Sequence, residues 1–108
     1  MKLPPDPYVN LAKLSDYCLS TTHPEGKHKA RVFRSALGLT PEDALWLRGA
    51  LLAAAAREEA VADRTTAHGQ RYTIKFTLER NGLTAQVCSG WLIRPDEHFP
   101  HLVSCYMV

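Results

Sequence analysis

The 108-residue chain lacks several features that would narrow its function at a glance. Its formal charge is only +2, too small to announce nucleic-acid binding by itself. Its three cysteines, Cys18, Cys88 and Cys105, are odd in number, and no two stand at C-x-x-C spacing. Cys and His are too scattered to show zinc-ligand spacing, so no metal site and no cofactor are expected. No hydrophobic run approaches membrane-spanning length. The start Met1-Lys2-Leu3-Pro4-Pro5 has no apolar signal core, which makes a cytoplasmic protein without membrane attachment the default expectation. Phosphate-binding loops, G-x-S-x-G elbows and H-E-x-x-H helices are all missing.

What is present is unevenly distributed. Residues 1–34 carry six Lys/Arg against three Asp/Glu, residues 35–63 two against five, and residues 64–108 five against three. A face assembled from the two ends would be positive. The length and a 45% hydrophobic content fit one domain, residues 1–108, with one modest core. Each cysteine has apolar or strand-like neighbours and reads as a buried free thiol of a reducing compartment.

Local patterns predict the elements. The proline-rich residues 1–9 read as an extended arm that resembles an edge strand. Asn10 is placed to cap a short helix carrying Leu11, Leu14 and Cys18. A second helix follows the Ser20–Gly26 loop and runs to Leu37, with Gly38 as its stop. Thr40-Pro41-Glu42-Asp43 starts a third, alanine-rich helix that fades near Asp63. Arg64–Gly69 reads as a loop. The period then changes to 2: Tyr72, Ile74, Phe76 and Leu78 alternate with polar residues up to Asn81-Gly82, a two-residue hairpin signal. That turn pairs Arg80 with Leu83, Leu78 with Ala85, Phe76 with Val87, Ile74 with Ser89 and Tyr72 with Trp91. Leu102–Val108 completes the chain as a strand. The expectation is an α+β fold: about three N-terminal helices, then an antiparallel meander of three to four strands, with the helices covering one face.

Candidate functional residues cluster at His23-Pro24-Glu25-Gly26-Lys27-His28-Lys29-Ala30-Arg31. A helix start already exposes N–H groups and a partial positive charge, so cations added there oppose the dipole and suit an anion such as phosphate. On a helical wheel Lys27, Arg31 and Arg34 lie opposite the apolar arc, whereas Lys29 falls within it and must reach a partner or a cleft. His28 flanks the arc and is a candidate general base. Arg71 points by alternation away from the helix-packed face and suits bidentate phosphate contact. Ser89 falls on the apolar face between Val87 and Trp91, and Ser104 between Leu102 and Tyr106. Together with the Tyr106 phenol they suggest a polar notch in that face. Trp91 and Tyr106 are core aromatics or base-stacking platforms.

These residues resemble a small bacterial family of uncharacterised domains of about this length, often encoded beside a short partner gene. The matching segments are Met1–Pro4, Lys13–Leu19, His23–Arg31, Gly69–Tyr72, Ser89–Arg94 and Leu102–Tyr106. The chain departs at Pro5–Val9 and at His68, where the family carries an aromatic residue. Its layout is similar to the barnase–EndoU–colicin–RelE group of endoribonucleases, which includes many toxins of toxin–antitoxin systems. The resemblance implies a metal-independent endoribonuclease that acts on RNA and is neutralised by a small cognate antitoxin protein. His28 would then be the acid or base, Lys29 and Arg71 would hold the scissile phosphate, and Ser89 or Tyr106 would orient it. His23, Lys27, Arg31, Trp91 and Tyr106 would bind the flanking RNA. The alternative is a non-catalytic RNA- or partner-binding module using the same basic face.

Overall fold

A computed structural model describes residues 1–108. Asn10 Oδ1 accepts the Ala12 N–H and starts α1, Leu11–Lys13, which widens at once into a π-helical turn, Leu14–Cys18. Helix α2 spans Gly26–Leu37 and stops at Gly38. A 3-10 turn, Pro41–Asp43, leads into α3, Ala44–Arg57. Four strands follow: β1 Val61–Thr66, β2 Gly69–Arg80, β3 Leu83–Ile93 and β4 His101–Met107. They form one antiparallel sheet in the order β1-β2-β3-β4. The α+β expectation holds, with the helices preceding a four-stranded meander.

The β2–β3 hairpin has the register that the alternation predicts, from Tyr72 opposite Trp91 to Arg80 opposite Leu83. Asn81 (φ 52°) and Gly82 (φ 82°) both take positive φ, as a type I′ turn requires. The inner sheet face packs Ile74, Phe76, Val87, Trp91, Leu102 and Cys105 against Leu14, Cys18, Phe33, Leu37, Leu47 and Leu51 of the helices in one core. Each fully buried leucine contributes about 1.5–3 kcal/mol. All three cysteines are buried and free.

The structure corrects the reading between residues 58 and 69. Helix α3 ends at Arg57, because Glu58 turns extended and Ala60 gives its N–H to the Met1 carbonyl at 2.6 Å. Residues 61–66, read as helix tail and loop, form β1. The strand was hidden because Val61 to Thr65 are all exposed, which leaves no apolar alternation to detect. The N-terminal arm meets the sheet only through the parallel Tyr8–His101 bridge, although Leu3 and Val9 reach the core.

Candidate nucleic-acid interface

The His23–Arg31 segment owes its shape first to packing. Gly26 lies so close to the π-helical turn that a Cβ there would run into the Tyr17 carbonyl. This approach sets α2 beside Tyr17. His23, expected to bind substrate, instead caps the helix: its Nδ1 accepts the N–H groups of Glu25 (3.0 Å) and Gly26 (2.9 Å). Two of the orphan donors at the helix start are thereby satisfied by an imidazole in place of an anion. The His23 ring also meets the Tyr17 ring edge-on, with centroids 4.8 Å apart.

Lys29 occupies the cleft that its wheel position predicts. It is half-buried, and Nζ donates to the Tyr17 hydroxyl at 3.2 Å. The ammonium lies 5.0 Å from the Tyr17 ring centroid and 5.5 Å from that of Tyr106. No carboxylate pairs with it; the chain's ion pairs all lie elsewhere. Lys13, Tyr17, Lys29, Val103 and Ser104 line a pocket of about 420 Å³ with no acid in its wall. His28 is exposed and shares a smaller pocket, about 210 Å³, with Lys29, Val32, Tyr106 and Met107. Lys27 and Arg31 are exposed along α2 and line neither pocket.

The polar notch expected on the inner sheet face does not form. Leu102 lies opposite Trp91, but Ser104 lies opposite Gly90, so the register slips by one residue at Val103. This bulge reverses the side chains that follow it. Cys105 takes the inner place opposite Ser89, while Ser104 and Tyr106 turn to the outer face. Ser89 is wholly buried, donating to the Ile74 carbonyl (3.0 Å) and accepting from Trp91 Nε1 (2.9 Å). Trp91 is likewise fully enclosed. Neither residue can touch a substrate, so the orienting role expected of Ser89 and the binding role expected of Trp91 both fall. Their hydrogen bonds satisfy a hydroxyl and an indole that would otherwise be orphaned in the core.

The bulge assembles a different group on the outer face. Thr73, Gly90 and Ser104 form one row across the sheet, and Lys75, Cys88 and Tyr106 the next. Arg71 leans over the bare Gly90: a Cβ there would sit 3.7 Å from Arg71 Nη2 and 3.9 Å from the Ser104 carbonyl. Arg71 is half-buried and no carboxylate pairs with it. A trough of about 570 Å³ crosses this face past Thr73, Lys75, Cys88 and Tyr106, with Glu59 and Asp63 on its β1 side. Glu59 is paired with the N-terminal ammonium at 2.7 Å, which leaves Asp63 as the trough's unpaired acid; Arg71 reaches from β2 over Gly90, while Lys29, Ser104 and Tyr106 stand at β4. Hydrogen bonding to Cys88 raises the Tyr106 phenol above its ordinary value.

Beneath the surface, Cys18 and Cys105 shift each other's thiols. Hydrogen bonding from Cys105 draws the Cys18 thiol down to about 7 against the opposing effect of burial, with help from Lys29 and Lys13. Cys105 is pushed well up by its bond to Cys18 and by burial.

Tyr17, Lys13 and Thr73 join the site without any signal in the sequence, and Ser104, expected in a notch on the inner face, joins it on the outer one. Tyr17 stands twelve residues before Lys29, and helix packing alone brings the two together. Ser104 and Tyr106 needed the bulge.

The chain belongs to the DUF6883 family. This is a domain of unknown function, and its family model matches residues 6–108. No curated protein and no solved structure is similar enough to match the chain. The match takes in every element of this DUF6883 domain and all the residues of the outer-face group. No helix is long and apolar enough to cross a membrane.

Proposed function

We propose that this DUF6883 domain is an endoribonuclease that needs no metal, the toxin of a bacterial toxin–antitoxin pair. The observation that carries the reading is the pair of half-buried cations that no carboxylate neutralises: Lys29, beside Ser104 and Tyr106 at β4, and Arg71, which reaches from β2 over Gly90 on the same outer face. A phosphodiester is the anion that such a strip accepts. His28 stands at the lip, beside Lys29 and Tyr106. In this reading the RNA 2′-hydroxyl attacks the adjacent phosphorus and its proton passes to His28. The P–O5′ bond breaks, and the leaving oxygen takes a proton from the Tyr106 hydroxyl or from water. Lys29 and Arg71 stabilise the charge that builds on the phosphorane. A small antitoxin protein covering this face would hold the activity silent.

One observation favours a second reading, a non-catalytic RNA-binding module. The His28 side chain shares a pocket with Lys29 and Tyr106, but no partner group orients its imidazole, as a base usually requires. Incubation of RNA with the protein in EDTA separates the two. The nuclease leaves 2′,3′-cyclic phosphate ends and spares both DNA and RNA blocked at the 2′-oxygen. His28→Ala lowers its rate by about 10²-fold or more. Salt-sensitive RNA binding without cleavage establishes the module instead, and neither binding nor cleavage removes both.

A further inference from the structure

Strand β1 covers only part of its neighbour. Its pairing with β2 involves Gly69–Thr73 and ends where Val61 meets Thr73. Beyond that point the β1 side of β2 is bare. The two-residue turn makes Arg80 and Leu83 a hydrogen-bonded pair, so the N–H and C=O groups of Lys75, Thr77 and Glu79 point away from β3. None of them finds a backbone partner elsewhere in the chain. An open edge of this kind is a template for another strand.

The side chains on that edge identify the strand. Lys75 and Glu79 lie on the outer face, both exposed, and neither takes part in an ion pair. They are spaced symmetrically about Thr77. We propose that this edge is a self-association surface, on which a second copy of the chain pairs antiparallel about a two-fold axis through Thr77. In that register Lys75 faces the second copy's Glu79, Glu79 faces its Lys75, and Thr77 faces Thr77. On the inner face Phe76 meets the second copy's Leu78. The three outer-face pairs are those whose backbone groups point outward, so each exchanges both hydrogen bonds. Opposite charges and threonines directly across are favourable cross-strand pairs. Pairing ends before Thr73, so β1 keeps its place.

The ground beside the edge suits the same occupant. A groove of about 580 Å³ runs between β2 and α3, past Leu45, Trp46, Gly49, Ala53 and Leu78. Leu45 and Trp46 are exposed by 62% and 40%, large apolar groups that a second copy would cover. The small residues Gly49 and Ala53 leave room for its α3. An isologous contact of this kind closes as a dimer with an eight-stranded sheet and exposes no further edge for growth at this site.

Sedimentation velocity on the full chain tests the proposal. The protein should show a concentration-dependent monomer–dimer equilibrium. Lys75→Glu or Glu79→Lys alone sets like charges face to face twice over, and each should weaken the dimer roughly tenfold or more. The double reversal K75E/E79K restores both pairs and should recover the dimer to within about threefold of the original. Thr77→Pro removes an outward N–H that the monomer does not use and should leave only monomer, with the circular dichroism of the folded protein. A monomer at every concentration overturns the proposal and leaves the edge to a foreign strand. It is equally overturned by a dimer indifferent to these substitutions, or by a double reversal that fails to restore. None of these outcomes depends on whether the protein cleaves RNA.

Discussion

The Lys29 ammonium lies over the face of Tyr106, 5.5 Å from the ring centroid, and so joins the first turn of α2 to the outer face of the last strand. The contact exists because the bulge at Val103 turns Tyr106 outward and because Gly26 lets α2 settle against Tyr17. It places a cation at the sheet edge with aromatic faces and a hydroxyl as its neighbours, leaving it available to an anion.

Lys29→Met keeps the stem that packs between the two rings and removes the charge. Stability should change by less than about 1 kcal/mol, since an isosteric apolar side chain fills the same space. Affinity for single-stranded RNA should fall, and the log–log salt slope should flatten by about 0.7, one phosphate contact. An unchanged slope would show that Lys29 does not touch the backbone.

Ser89→Ala should behave as a core substitution. It leaves the Trp91 N–H without an acceptor, at a cost of about 1–3 kcal/mol in urea unfolding. RNA binding or cleavage per folded molecule should not change. A folded variant that has lost its activity would contradict the structural role assigned to Ser89.

At His23 the test is of capping. His23→Ala removes the acceptor for the Glu25 and Gly26 N–H groups and should cost about 1 kcal/mol. His23→Asn, which offers a side-chain oxygen at the same place, should recover part of it. Thermal melts of the three proteins compare them directly, and equal melting temperatures would count against the cap.

Asp43 gives an acid dependence. Hydrogen bonds from the Thr40 N–H and from Arg80 hold its carboxyl below the ordinary 3.8. A carboxyl depressed in the folded state contributes fully above its unfolded value and loses that contribution as pH falls through the folded one. The stability gap between the wild type and Asp43→Asn should therefore be constant above about pH 5 and close as the pH drops below about 4. Paired denaturant titrations at several pH values measure it. A gap that widens in acid would have the wrong sign.

Much of this protein was determined by local sequence. The Asn81-Gly82 turn and the flanking alternation set the β2–β3 register residue by residue, because a period of 2 admits no slip without exposing the core face. The capping signals at Asn10 and Thr40 and the stop at Gly38 act within a few residues and are likewise visible in the chain. Lys29's place in a cleft followed from its position on one helix.

Tertiary structure decided the rest. Strand β1 carries no apolar pattern and is a strand only because β2 lies beside it. The bulge at Val103 arises where β4 must match β3 at Trp91 and at Ser89 with one residue too many between. That single extra residue moved Ser104 and Tyr106 to the open face and set Cys105 opposite the buried Ser89. Periodicity fixes which residues share a face only while the register is unbroken. A bulge, a helix settled against Tyr17 through Gly26 and a lysine seated between two tyrosines depend on contacts between elements, which the spacing of residues along the chain does not encode.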